Sequence, residues 1–334
     1  MTRLGILSIG GLVAAVAVAV AIGALTGVDS MPSSTASSSA SSCAAPTRTV
    51  GSADQLRDAL KSAHAGDVIL MRDGSYRGPF RATVDGTRTS PIRLCGGDRA
   101  VLTGGGTSGS TALELDGASH WMLSGFQIRD AQKGVVVDHA VSVTVTGVTV
   151  SNIGDEGIHV RNNSTYAHIT GNSVSHTGLR KAAYGEGIYI GSAKSNWCSV
   201  SDCKPDRSDH ARVTGNHVRE TTAESVDIKE GTTDGVLSHN TFDGTGMTAA
   251  DSWVDVKGNS WTISDNEGTH APLDGFQTHR IVSGWGDHNR FEGNTAQLDA
   301  GGYGFHLAPS LDNTVGCDNK VSQAGKGLSN VACT

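Results

Sequence analysis

Positive charge is in short supply: 26 Lys and Arg stand against 33 Asp and Glu, for a net charge of −7. That balance excludes non-specific nucleic-acid binding, which needs a basic field, and any basic patch must be local. Proline (7 residues) and aromatic side chains (5%) are also sparse. Long apolar runs of helical period are absent beyond residue 63, which leaves no helical core to build. No Gly-x-Ser-x-Gly elbow occurs, so serine esterase chemistry has no footing. The Gly104-Gly105-Gly106 triplet has no helix after it to bind phosphate, and no cysteine pair shows zinc-like spacing with histidines.

What is abundant is Gly (44 residues), with Thr, Ser, Asn and Val, the composition of many short strands joined by turns. Three segments follow. Residues 1–28 hold an apolar stretch, Leu4 to Gly27, preceded by Arg3. They read as a signal peptide or membrane anchor, since about 20 apolar residues can span a bilayer. Residues 29–47 are a Ser-rich flexible linker, and 48–334 form one large all-β domain outside the cytoplasm. The six cysteines suit an exported chain, and proximity suggests Cys198 with Cys203 and Cys317 with Cys333, leaving Cys43 with Cys95.

A repeat organises the domain. Apolar-x-apolar triplets recur at Val135/Val137, Ile158/Val160, Ile188/Ile190, Val226/Ile228, Val254/Val256 and Phe305/Leu307. Turn asparagines accompany them, and Asn216, Asn240, Asn266, Asn294 and Asn319 are spaced by 24, 26, 28 and 25 residues. A period in the mid-twenties with two or three short strands predicts a parallel β-solenoid, because one coil alone cannot bury its apolar positions. Asparagines at matching turns can then stack as an amide ladder. The stretch Ser52 to Leu60 reads as an N-capped amphipathic helix suited to cover the first coil.

Alternation also defines an outer face. Ser225-Val226-Asp227-Ile228-Lys229 returns as Trp253-Val254-Asp255-Val256-Lys257, so Lys229 is expected directly over Lys257. Aligned rungs give one column of Asp138, Arg161, Gly191, Lys229 and Lys257, and a second of Val136, His159, Tyr189, Asp227 and Asp255 with His306 in the last rung. Trp253 and Tyr189 are candidate platforms for sugar rings. A third column, Glu156, Glu186 and Glu224, is a candidate calcium site. The insertion Ser192 to His210, carrying Trp197, is placed to wall a cleft.

Such a strip suits an acidic polysaccharide. Elimination from a uronate polymer needs a neutralised carboxylate, a base and an acid. Stacking of Lys229 on Lys257 is expected to lower the pKa of one of them enough for it to act as the base, since a like charge disfavours the ammonium, and whichever stays charged neutralises the carboxylate. Arg161 would grip a neighbouring sugar acid, with His159, Tyr189, Trp253 and His306 around it. Two other readings stand beside this one. Asp227 and Asp255 could serve a glycoside hydrolase, or the surface could bind glycans without cutting them.

The opening Gly66-Asp67-Val68-Ile69-Leu70-Met71-Arg72-Asp73-Gly74-Ser75-Tyr76, with Gly86-Thr87, Ser90-Pro91-Ile92-Arg93-Leu94 and Leu102-Thr103-Gly104, resembles the chondroitinase B and alginate lyase family. The likeness continues weakly over residues 48–310. It implies a single-stranded right-handed parallel β-helix that cleaves an acidic polysaccharide, with alginate, pectate, glucuronan and a sulfated glycan all open. The chain is expected to be secreted and monomeric. In that family a strand Lys is the base, an Arg on a following rung assists, and calcium held by Glu and Asn neutralises the uronate. Glu224 to Lys229 is similar to its Glu–Lys segment, which makes Lys229 the candidate base. Thr222 stands where the family has a second glutamate, and Lys257 is the nearest substitute for the partner Arg.

Overall fold

The computed structural model describes residues 43–334. The leader or anchor expected over residues 1–28, and most of the linker, lie outside the described residues. Each coil contributes one short strand to each of three parallel sheets, of 11, 10 and 10 strands. The first sheet starts at Arg48–Val50 and ends at Thr314–Val315, the second runs from Gly74–Arg77 to Lys320–Ala324, and the third from Phe80–Ala82 to Gly327–Ser329. The expected solenoid is therefore the fold. Among the described residues no helix is long and apolar enough to cross a membrane.

Stacking buries what one coil cannot. In the third sheet Val135, Ile158, Ile188, Val226 and Val254 pair in register, and all are fully buried. Phe276 and Phe305 continue that line with rings stacked 5.1 Å apart. The asparagine ladder forms from Asn172 through Asn216, Asn240, Asn266 and Asn294 to Asn319. Each amide nitrogen lies 2.9 Å from the next amide oxygen. Each also donates to a backbone carbonyl, as Asn240 does to Val213. Every buried amide thus has partners, each net bond contributing about 1 kcal/mol.

The helix Ala53–Lys61 starts at Ser52, whose hydroxyl accepts from the Gln55 N–H. It buries Leu56, Ala59 and Leu60 in the same core as Tyr76 and Phe80. The three disulfides are Cys43–Cys95, Cys198–Cys203 and Cys317–Cys333, as proximity suggested.

Candidate active site

The third sheet carries the outer strip, and its register matches the expected columns. His159 pairs with Tyr189, Tyr189 with Asp227, and Asp227 with Asp255. Asp138 pairs with Arg161, while Gly191, Lys229 and Lys257 directly follow the paired Ile190, Ile228 and Val256. Gly191 sits at φ +82, and a Cβ there would meet Thr232 Cγ2 at 2.6 Å and Lys229 Cβ at 3.3 Å. Only glycine combines that left-handed backbone with that approach.

Over this strip lies a cavity of about 500 Å³, lined by Lys133, His159, Arg161, Arg180, Tyr189 and Lys229, with Glu156 and Glu186. The insertion is its other wall. Ser192, Ser195 and Asn196 face the cavity, Trp197 is buried with its indole N–H on the Ser192 carbonyl, and the Lys194 N–H is tied to Glu230. Lys133 and Arg180 come from turns, beyond the reach of strand alternation. Lys133 holds Glu156 at 2.9 Å, and Arg180 holds the buried Asp155 at 2.6 Å.

Three ring and ammonium groups define the floor. The Lys229 ammonium lies 5.2 Å from the Tyr189 ring centroid, and the Tyr189 and His159 rings are 4.3 Å apart. His159 Nε2 is 2.9 Å from the Gly191 carbonyl oxygen. A carbonyl only accepts, so Nε2 carries the proton. Burial, with Lys133 and Arg161 nearby, holds this imidazole well below its usual pKa, so it is neutral and Nδ1 keeps its lone pair. Nδ1 has no hydrogen-bond partner. Burial beside Asp227 and Glu186 pushes the Tyr189 phenol well above its usual range, so it stays protonated.

The lysines are a correction. Burial would lower the pKa of Lys229, but contact with Asp227 and the fields of Glu224 and Glu186 outweigh it and hold it as ammonium. Lys257 is likewise raised, since its ammonium sits 2.8 Å from Asp227 and 2.9 Å from Asp255. The expected lowering by lysine–lysine repulsion fails because carboxylates stand closer than the like charge. Lys257, Asp227 and Asp255 are also buried and absent from the cavity wall. Asp255 is held well below the carboxylate range: burial would raise it, but Lys257 and His279 dominate.

Trp253 is a second correction. Its side chain is fully buried, with the indole over Gly268 and edge-on to Phe276 at 5.9 Å. No ligand can lie on it. Alternation would turn it outward, but the glycines at 268 and 275 open room in the core, and the large apolar ring fills it. His306 holds its expected column, three rungs beyond the Lys229 rung. It binds Asp274 at 2.9 Å and faces a different cavity.

Glu156 does not join the acidic cluster and pairs with Lys133. Glu186, Glu224 and Asp227 form it instead, each offering an oxygen with all three within 4.8 Å of one another. Burial and the neighbouring Asp227 raise Glu186 to about 8 and Glu224 to about 9. The rung Asp274–Thr278, with Gln277 and His279, was missed by triplet reading because Gly275 and Thr278 dilute its apolar pattern. The 28-residue gap between Asn266 and Asn294 was the available signal.

Comparison with known proteins agrees with this architecture. An alginate lyase from Paenibacillus sp. str. FPU-7 is 33% identical, with a TM-score of 0.80, over 86% of this chain and 100% of that one. Residues 34–196 match the Pel9A-like, right-handed beta helix region. With 33% identity over the whole of that alginate lyase, the protein belongs to the same right-handed parallel β-helix family as that enzyme. Two more distant members of the same fold are the pectate lyase Pel9A and a GH136 lacto-N-biosidase from Eubacterium ramulus. The first is 12% identical with a TM-score of 0.60, covering 87% of this chain and 83% of that one. The second is 12% identical with a TM-score of 0.54, covering 85% and 68%. No curated protein matches. Within this β-helix, Tyr189, His159 and Lys229 meet in the cavity that the inserted loop walls.

Proposed function

We propose that this β-helix protein is an exported, monomeric polysaccharide lyase that breaks a uronate-containing polymer by β-elimination in the Tyr189–Lys229 cleft. The observation that carries this reading is the Lys229 ammonium lying over a protonated Tyr189 beside a neutral His159. The 33% identity to an alginate lyase supports the substrate class and makes alginate the first polymer to test. The disulfides suit an oxidising compartment.

In this mechanism Lys229 is a clamp, not a ready base. Its ammonium, with Arg161 and Lys133 along the wall, neutralises the uronate carboxylate and acidifies the neighbouring C–H. His159 Nδ1, buried in the free protein with Glu156 Oε1 3.8 Å away, takes that proton once the seated sugar reaches it, as a carbon–carbon double bond forms and the adjacent carbon–oxygen bond breaks. Tyr189 gives its proton to the leaving oxygen, and transfer from His159 to Tyr189 resets the pair. The oxygen-only set Glu186, Glu224 and Asp227 fits a calcium ion, since its oxygens lie within 4.8 Å of one another and the buried Glu186 Oε2 has no partner. When bound, calcium would supply fixed positive charge beside the uronate and lower the lysine pKa.

Hydrolysis through Asp227 and Asp255 is disfavoured, because a glycosidase needs one carboxyl as a proton donor, while Asp255 is held ionised and Asp227 is in contact with two ammonium groups. The test is a screen of acidic polysaccharides for ultraviolet-absorbing unsaturated ends. New reducing ends without that absorbance would establish hydrolysis instead, and gel retardation without cleavage would establish a binding protein.

A further inference from the structure

A second cavity, of about 540 Å³, opens on the same outer face three rungs beyond Tyr189. Gln277 and His306 form part of its lining, and they continue the column that holds His159, Tyr189, Asp227 and Asp255. The site is built from within. Asp274, 1% exposed, accepts from the Tyr303 N–H at 2.6 Å, from Gln277 Nε2 at 2.9 Å and from His306 Nδ1 at 2.9 Å. Those donors occupy the carboxylate and fix the His306 ring through Nδ1, leaving Nε2 available to a ligand.

Around this fixed core stand Arg280 and Lys326, both exposed. Among the described residues neither is in a salt bridge. Arg280 reaches only the Ser310 carbonyl, and Lys326 lies over the Tyr303 ring. Asp251 is the remaining acid on the wall, which also holds His279, whose Nε2 is 3.3 Å from Asp255. Leu273, Leu307 and Pro309 give an apolar side, and Leu273 is 40% exposed. Free cations, a fixed histidine and an apolar ledge are what an acidic sugar needs: charge for its carboxylate, a polar partner for a hydroxyl, and a surface for its C–H face.

We propose that this cavity is a distal subsite for an acidic sugar of the same polymer chain that enters the Tyr189–Lys229 cleft. The substrate class rests on the function proposed above; the site itself rests on Arg280, His306 and Lys326. The rung of the buried Lys257–Asp255 pair lies between the two cavities, so a chain filling both spans at least two rung spacings, about 10 Å, and about 14 Å from the Tyr189 rung. Long chains gain from both sites and short ones do not.

The experiment compares wild type with Arg280→Ala/Lys326→Ala, two surface changes whose fold is checked by circular dichroism. One readout is KM for polymeric alginate, polygalacturonate and polyglucuronate against KM for trisaccharides of the cleaved polymer. The other is retardation in gels containing each polymer. The double variant is expected to raise polymer KM about tenfold more than trisaccharide KM and to lose most of its retardation, with Arg280→Lys/Lys326→Arg restoring both. Equal KM changes for polymer and trisaccharide, or unchanged retardation, overturn the subsite while leaving the lyase reading intact. Retardation without cleavage by wild type, weakened in the double variant, sinks the lyase reading and supports the subsite. A wild type that neither cleaves nor is retarded by any of the three overturns both.

Discussion

Lys257 Nζ lies 2.8 Å from Asp227 Oδ1, and the other oxygen of that carboxylate holds Lys229. One buried carboxylate therefore fixes two ammonium groups on adjacent rungs, with Asp255 completing the charge balance around Lys257. Removing one partner of such a set leaves uncompensated charge in a dry environment. Lys257→Ala is expected to cost about 3–5 kcal/mol in denaturant-induced unfolding. A loss below about 1 kcal/mol would mean that the pair is solvated and the buried-network reading is wrong.

Lys229, Tyr189 and His159 make a contrasting set, because they touch the cavity. Tyr189→Phe keeps the ring and removes only the transferable proton, and His159→Gln removes the Nδ1 lone pair. Each should lower kcat by about 10²–10⁴-fold with near-wild-type unfolding. Lys229→Ala should raise KM as well as lower kcat, since it removes the carboxylate clamp. Wild-type turnover in Tyr189→Phe would exclude the phenol as the acid.

The β-helix was legible because its signals are periodic. The alternating triplets and the asparagine spacing each report a position in a coil, and stacking turns position into contact. The same alternation placed His159, Tyr189, Asp227 and Lys229 correctly. It could not reach Lys133 and Arg180, which come from turns, or foresee that Trp253 would fold inward over Gly268. It also misjudged the charge of Lys229, because a pKa depends on the nearest neighbours in three dimensions. Asp227, Glu186 and Glu224 approach the lysine more effectively than Lys257 repels it.

Trp253 offers a separate test of inward against outward placement. A buried indole packed on Phe276 belongs to the core, so Trp253→Ala should destabilise by about 3–5 kcal/mol. KM for the polymer, measured on the folded fraction, should change little. A large rise in KM with unchanged stability would return Trp253 to the sugar-binding surface.

The acidic cluster gives the final expectation, in which stability depends on both pH and calcium. Glu186 and Glu224 have folded pKa values of about 8 and about 9, against an unfolded value near 4.5. Between these limits the folded chain binds more protons than the unfolded chain, so stability falls as pH rises. The contribution is fully present below about pH 4.5 and is lost as pH climbs through 8 to 9. Calcium reverses the slope, because it replaces those protons and binds the ionised carboxylates of the folded state. Melting temperature in chelator should therefore drop by several degrees between pH 6 and pH 9 on account of this cluster. Added calcium should raise it at pH 9 much more than at pH 6. Glu186→Gln/Glu224→Gln should flatten the pH dependence and remove the calcium response. A calcium response of equal size in that double variant would place the ion elsewhere.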